Sequence, residues 1–277
     1  MDPDRAKLAE LMILAAAFLE ADPTYGATKL NKALFFSDHL HYKRYGAPVS
    51  GVTYERLPRA PAPREVLAVR QRLIDDQDAA LEVRGYLGHL QQRLVPLREP
   101  EPGTFSDSEL TLVAEVCEAL RGHSHTNVPG WQLAAEREEI PYESAFLSTS
   151  TPNRAELDRG AKLAADLGLA GPGSGGARRR PNVGGEPPRR SIAYECRLDE
   201  LRATYPRADE VLDGIAWACA RWPDGFHRIP GTRLHLLKTE WPIPSLGTWF
   251  TLDDDTRCTI WAVEECLPYV PEEDGTD

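Results

Sequence analysis

Residues 28–63 read TKLNKALFFSDHLHYKRYGAPVSGVTYERLPRAPAP, and their pattern decides the fold of the first half of the chain. Leu30, Ala33, Leu34 and Leu40 recur at helical spacing, with Ser37 and His41 on the same stripe. Phe35 and Tyr42 form an aromatic patch on another side of that helix. Lys29, Lys32 and Lys43 lie away from the main stripe. Gly46 stands where a left-handed C-cap ends a helix, and Pro48 prevents its resumption. Val49, Val52, Tyr54 and Leu57 then read as extended chain, ended by Pro58, Pro61 and Pro63.

The neighbouring segments extend this frame. Residues 4–20 form an amphipathic helix with Leu8, Leu11, Met12, Ala15 and Leu19 on one face, closed by Pro23. Residues 64–77 form a third helix on Val66, Val69 and Leu73. Residues 81–87 and 91–97 alternate across Gly88 and His89 and read as a β-hairpin. Ser106, with Glu109 three residues on, is a capping box that opens a helix running to Leu120. A loop over 123–131 and a helix over 155–167 complete the first region.

Residues 168–190 are rich in Gly, Pro and Arg and hold almost no apolar side chain. Such a segment cannot bury enough surface to offset its ordering entropy, so a flexible linker is expected. As a coil it spans on the order of 25 Å. Arg178, Arg179, Arg180, Arg189 and Arg190 make it the clearest basic cluster of the chain. Beyond it the composition changes, with Trp217, Trp222, Trp241, Trp249 and Trp261 all on the far side. A short helix over 198–204 and a longer one over 208–221 precede extended runs at 226–238, 248–252 and 258–263. The expected class is α+β. A mainly helical domain with a small β-hairpin covers 1–167, followed by the linker and a small α+β domain of two helices and an antiparallel sheet over 191–277.

Composition narrows the function. A chain of 277 residues has room for two domains, and its formal net charge of -11 argues against a general binder of nucleic acid or anionic membrane. The five cysteines are scattered and show no C-x-x-C spacing. That disfavours a disulfide framework or zinc site and fits a reducing cytoplasm. Asp2, Asp4, Arg5 and Lys7 do not read as a signal peptide. The apolar run over 8–21 is too short, and too interrupted by Glu10 and Glu20, to span a bilayer.

With these residues in view, the 28–63 stretch resembles the Panacea domain, the promiscuous antitoxin domain of bacterial and phage toxin–antitoxin pairs. Lys29, Leu30, Lys32, Asp38, Arg44, Tyr45, Gly46, Gly51, Tyr54 and Pro58 carry the resemblance. Ala60 departs from it, standing where the family usually has a glycine. A second block over 122–146 supports it, with Ser124, His125, Gly130, Trp131, Ile140, Pro141 and Tyr142 in order. The resemblance implies neutralisation of a toxin by direct contact, without catalysis and without a cofactor. It also allows an adaptor role that delivers a toxin to a protease unfoldase.

The last 80 or so residues resemble, more distantly, the RelE/ParE toxin fold through Tyr205-Pro206, Arg221-Trp222-Pro223 and the strand–Asp–strand ending. Two origins for the toxin therefore stay open: a separate protein, or the chain's own C-terminal domain. In the second case the tether would hold the halves at about millimolar relative concentration.

The candidate partner-binding residues are Lys29, Lys32, Phe35, Asp38, Tyr42, Lys43, Tyr54, His125 and Trp131, because aromatic residues flanked by cations make interface anchors. The H-x-H pairs His39/His41 and His123/His125 are poor chelates: residues two apart on a helix diverge, and the loop pair has no third ligand. A ribonuclease would use Arg228, Arg233, His235 and Lys238, but the acids Glu240, Asp253, Asp254, Asp255, Glu264 and Glu265 outnumber them and would repel RNA. No catalytic residue is assigned.

Overall fold

The helix expected from Leu30 to Gly46 forms over Ala27–Tyr45 (α2). Gly46 closes it at φ 81°, with its N–H donating to the Tyr42 carbonyl at 2.8 Å. This conformation favours glycine because a Cβ would meet the preceding backbone. The structure is a computed structural model that describes residues 3–101, 103–122, 134–148, 150–171, 187–221, 225–240, 244–253 and 257–266. The chain divides into two compact units, Met1–Ala145 and Phe146–Asp277.

In the first unit, α1 (Pro3–Leu19) and α2 precede the antiparallel pair β1 (Tyr54–Arg56) and β2 (Pro61–Pro63). Then come α3 (Val66–Asp75), the hairpin β3 (Ala79–Tyr86) and β4 (His89–Pro96), α4 (Asp107–Leu120) and β5 (Glu139–Ile140). β5 joins the other side of β1, giving the order β2-β1-β5. A 3-10 turn, Tyr142–Phe146, follows. The sequence gives α1 a single apolar face. In the fold Leu8, Leu11, Met12, Ile13, Ala15 and Ala16 are all fully buried, because α2, α3, α4 and β4 pack around it. Ala60 takes no left-handed backbone and sits buried in the β1–β2 loop, so the family's glycine is not required there. The capping box of α4 forms as expected, and Glu109 also accepts from Lys7 Nζ at 2.6 Å, tying α4 to the start of α1.

In the second unit, β6 (Leu147–Ser148) and α5 (Arg154–Asp166) lead to β7 (Arg189–Arg190), α6 (Ile192–Thr204) and α7 (Ala208–Arg221). β8 (His227–Arg228), β9 (Leu234–Thr239), β10 (Leu246–Leu252) and β11 (Cys258–Glu265) follow. The sheet runs β6-β9-β10-β11-β7, with β8 also on β9. It is antiparallel except for β7, which lies parallel to β11.

One face of this sheet packs on α5, where Ala164 joins Leu234, Leu236, Ile229 and Trp249. On the other face Cys258 Sγ lies 3.5 Å from the Cys219 carbonyl of α7, and Phe250 stacks on His235. Packing on both faces leaves β9 buried along nearly its whole length.

The helix and strand at 147–166 therefore belong to the second compact unit, whereas the sequence groups them with the first domain. The reason is packing: α5 supplies the cover for one sheet face. Arg189 and Arg190, expected in a flexible linker, instead form β7, and Arg189 pairs with Asp253 at 2.9 Å. The linker core at 172–186 lies outside the described residues. Gly160 shows how closely α5 sits: a Cβ there would lie 2.6 Å from Trp249 and 2.9 Å from Ile229. Gly160→Ala is expected to destabilise the second unit by about 1–3 kcal/mol through overpacking, read as an earlier thermal transition together with a shifted tryptophan emission.

Candidate functional site

Asp38, in the middle of α2, is fully buried. Its carboxylate accepts from Ser50 N at 2.5 Å, Ser50 Oγ at 2.5 Å and Tyr54 OH at 2.6 Å. These bonds pin the turn after α2, and the first residue of β1, onto the helix. Burial raises the Asp38 pKa, and the Ser50 and Tyr54 donors oppose that rise by favouring the charged form.

An aromatic layer lies beside it. Phe35 stacks on His39 with centroids 3.8 Å apart and meets Tyr54 edge-on at 5.4 Å. Tyr142 of the 3-10 turn lies 4.8 Å from His39 and 5.5 Å from Tyr42, and its hydroxyl donates to the Val52 carbonyl at 2.6 Å. His39 Nδ1 lies 3.0 Å from the Phe35 carbonyl, which can only accept, so Nδ1 carries the proton. Complete burial holds the His39 pKa down at about 3, although the Phe35 and Pro141 carbonyls pull it up.

The lysines at the start of α2 have a different task. Lys29 Nζ donates to Asp22 Oδ2 at 2.6 Å, to the Leu120 carbonyl at 2.9 Å and to the Thr24 hydroxyl. It therefore caps the negative end of α4 while neutralising a buried acid. Burial raises the Asp22 pKa, but Lys29 and Thr24 outweigh it and bring it to about 2. Lys32 is also buried, and burial and then Lys29 lower its pKa. Lys43 is half-buried.

Of the expected partner-binding residues, Phe35, Asp38 and Tyr54 thus lie inside the unit, at 1%, 0% and 1% exposure. At that burial they hold α2, β1 and the 3-10 turn together and present no surface. Tyr42, at 9%, faces Tyr142 and Glu143. His125 and Trp131, together with His123, lie outside the described residues. His39 and His41 do not converge: His41 Nδ1 turns to the Ala47 carbonyl at 2.6 Å.

An accessible surface opens on another side of α2. Leu30, with Val66, Leu67 and Arg70 of α3 and Leu81 and Leu94 of the hairpin, lines an apolar groove of about 130 Å³. Leu67 is 65% exposed. Arg70 makes no hydrogen bond or ion pair among the described residues. The sequence carried a signal for this groove in Leu67, an apolar residue off the Val66–Val69–Leu73 stripe, but the pattern of one helix does not show which elements meet there.

In the second unit, Arg228 lies directly across the strand pair from His235, and each of the four residues considered for RNA cleavage has a neighbour within the fold. His235 faces Phe250, Lys238 pairs with Glu156 of α5 at 3.0 Å, Arg228 donates to the Thr232 carbonyl and Arg233 to that of Gly168. Among the described residues no helix is long and apolar enough to cross a membrane.

Comparison with known families gives a match to the model described as "Antitoxin SocA-like, Panacea domain", over residues 30–129. It spans α2 to α4 and covers none of the second unit. No curated protein and no solved structure gives a match. The first unit, with the Asp38–Tyr54 anchor at its centre, therefore carries an antitoxin SocA-like Panacea domain over residues 30–129.

Proposed function

We propose that this chain is an antitoxin that neutralises a toxin by direct protein–protein contact, without catalysis. The observation that carries this reading is the Panacea match over residues 30–129. The buried anchor on α2 serves as a rigid frame, and the groove beside it is the contact surface. Its occupant is a toxin segment with an apolar side chain to fill the groove and a carboxylate to meet Arg70. An unpaired guanidinium beside an apolar pocket favours that combination through charge complementarity.

Paired gene deletions in the native cell test the reading. An antitoxin cannot be removed while its toxin remains. If the toxin is a separate protein, deleting the whole gene arrests growth, and suppressor mutations identify the toxin gene. If the second unit is the toxin, whole-gene deletion is tolerated, but deleting only residues 3–145 arrests growth. Tolerance of both deletions contradicts the reading. The cut belongs at residue 146, because a fragment starting at 191 lacks β6 and α5, which complete the sheet and its core.

A further inference from the structure

We infer that the outer edge of β3 pairs with the same edge of a second copy of this chain, forming an antiparallel two-fold dimer with a continuous four-stranded sheet. The hairpin turn holds Leu87 and Gly88, both at positive φ, between the paired residues Tyr86 and His89. In a two-residue hairpin the flanking pair is hydrogen-bonded, and bonded pairs alternate along the ladder. Residues 80, 82, 84 and 86 therefore bond to β4, while Leu81, Val83 and Gly85 aim their N–H and C=O groups away from it.

Two observations confirm this phase. Leu97 N donates to the Asp78 carbonyl at 2.8 Å, on the even-numbered series. The Leu94 carbonyl, opposite Leu81, turns outward to accept from Tyr25 OH at 2.8 Å. On the β4 side the outward Leu94 carbonyl thus finds its partner within the unit, and α1 and α2 pack against that strand. On the β3 side the backbone groups of Leu81, Val83 and Gly85 have none among the described residues.

The side chains of this edge are self-complementary. Val83 is 60% exposed. An antiparallel pair centred on Val83 brings outward backbone groups together: Val83 faces Val83 of the second copy, and Leu81 faces Gly85. In the same register Glu82 lies opposite Arg84 of the second copy, and Arg84 opposite Glu82. Both are about half exposed and already approach each other within one chain at 2.7 Å. The result is an alternating square of four charges directly across the new strand pair, where opposite charges attract. An open, exposed strand edge is otherwise an aggregation hazard. Gly85 opposite Leu81 adds no side chain over the apolar groove, so the dimer leaves that surface open. The inference is independent of the toxin reading.

Sedimentation velocity of the full chain over a concentration series, with two charge reversals, tests it. A strand-pair interface is small, so association is expected to be weak and concentration dependent. Glu82→Arg and Arg84→Glu each place like charges opposite one another and are expected to weaken dimerisation by about tenfold or more. The two single variants mixed together are complementary again and should form a heterodimer, as should the double reversal with itself. That recovery also shows that the single variants fold. A wild-type chain that stays monomeric at high micromolar concentration overturns the proposal. So does a dimer indifferent to both reversals, or a mixture that remains monomeric.

Discussion

Asp38→Ala is expected to lower the stability of the first unit by about 3–5 kcal/mol, the range for removing one partner from a buried charged network. The substitution strips the acceptor from three donors at once, Ser50 N, Ser50 Oγ and Tyr54 OH, at 2.5, 2.5 and 2.6 Å. None can turn to solvent, since Ser50 is 4% and Tyr54 1% exposed. Asp38→Asn should cost about half as much. Its carbonyl still accepts from the Ser50 backbone, and the two hydroxyls can rotate to accept from the amide. Hydrogen exchange of the α2 amides in the full chain reads the change without interference from the second unit. A loss below about 1 kcal/mol for the alanine variant would show that the anchor does not hold the domain together.

The first unit is also expected to lose stability on acidification at a pH well above the carboxylate range, because of His39. Its ordinary pKa is 6.5, and burial lowers it to about 3 in the fold. Between these values the unfolded chain binds a proton that the folded unit refuses. The contribution is therefore fully present above pH 6.5 and is lost as pH falls toward 3. Linkage puts the loss at about 2–3 kcal/mol by pH 4.5 and on the order of 4 kcal/mol by pH 3. Asp22, Glu10 and Glu109, whose pKa values are lowered, add losses of the same sign, but only below their ordinary values of 3.8, 4.5 and 4.5. Asp38, whose pKa is raised, acts in the opposite sense, its share falling as pH rises through its folded value. Because Asp38 titrates in both proteins, the difference between the wild type and a His39 variant over pH 6.5 to 4.5 isolates the histidine. His39→Phe keeps a ring stacked on Phe35 while removing the titration, and should abolish the histidine's share of the loss across that interval. An unchanged slope in the variant would contradict the assignment.

Much of the first unit was legible in residues 28–63. Helical spacing located α2, and Gly46 marked its end to the residue. The capping box at Ser106 and Glu109 and the hairpin around Gly88 also formed where expected, because caps and turns are local chemistry. Placement was less legible. Lys29 and Lys32 read as surface cations, yet both are buried, because the acid that pairs with Lys29 comes from a loop seven residues earlier and the carbonyl from α4. Phe35 and Tyr54 read as interface anchors, and the fold uses them as core. The period of one helix tells that a face is apolar, not what covers it. The groove at Arg70 and Leu67 depends on three elements meeting, and the assignment of α5 to the second unit depends on Trp249, far along the chain.

The most direct test of neutralisation by contact is a titration of the purified chain against the toxin that the deletion suppressors identify, or of residues 1–145 against 146–277 if the second unit proves toxic. The expected result is a one-to-one complex in which both proteins keep their mass and toxin activity falls in proportion to the complex formed. Arg70→Glu should weaken that complex by about tenfold or more. A toxin that loses activity without forming a complex, or emerges cleaved or chemically altered, would contradict it.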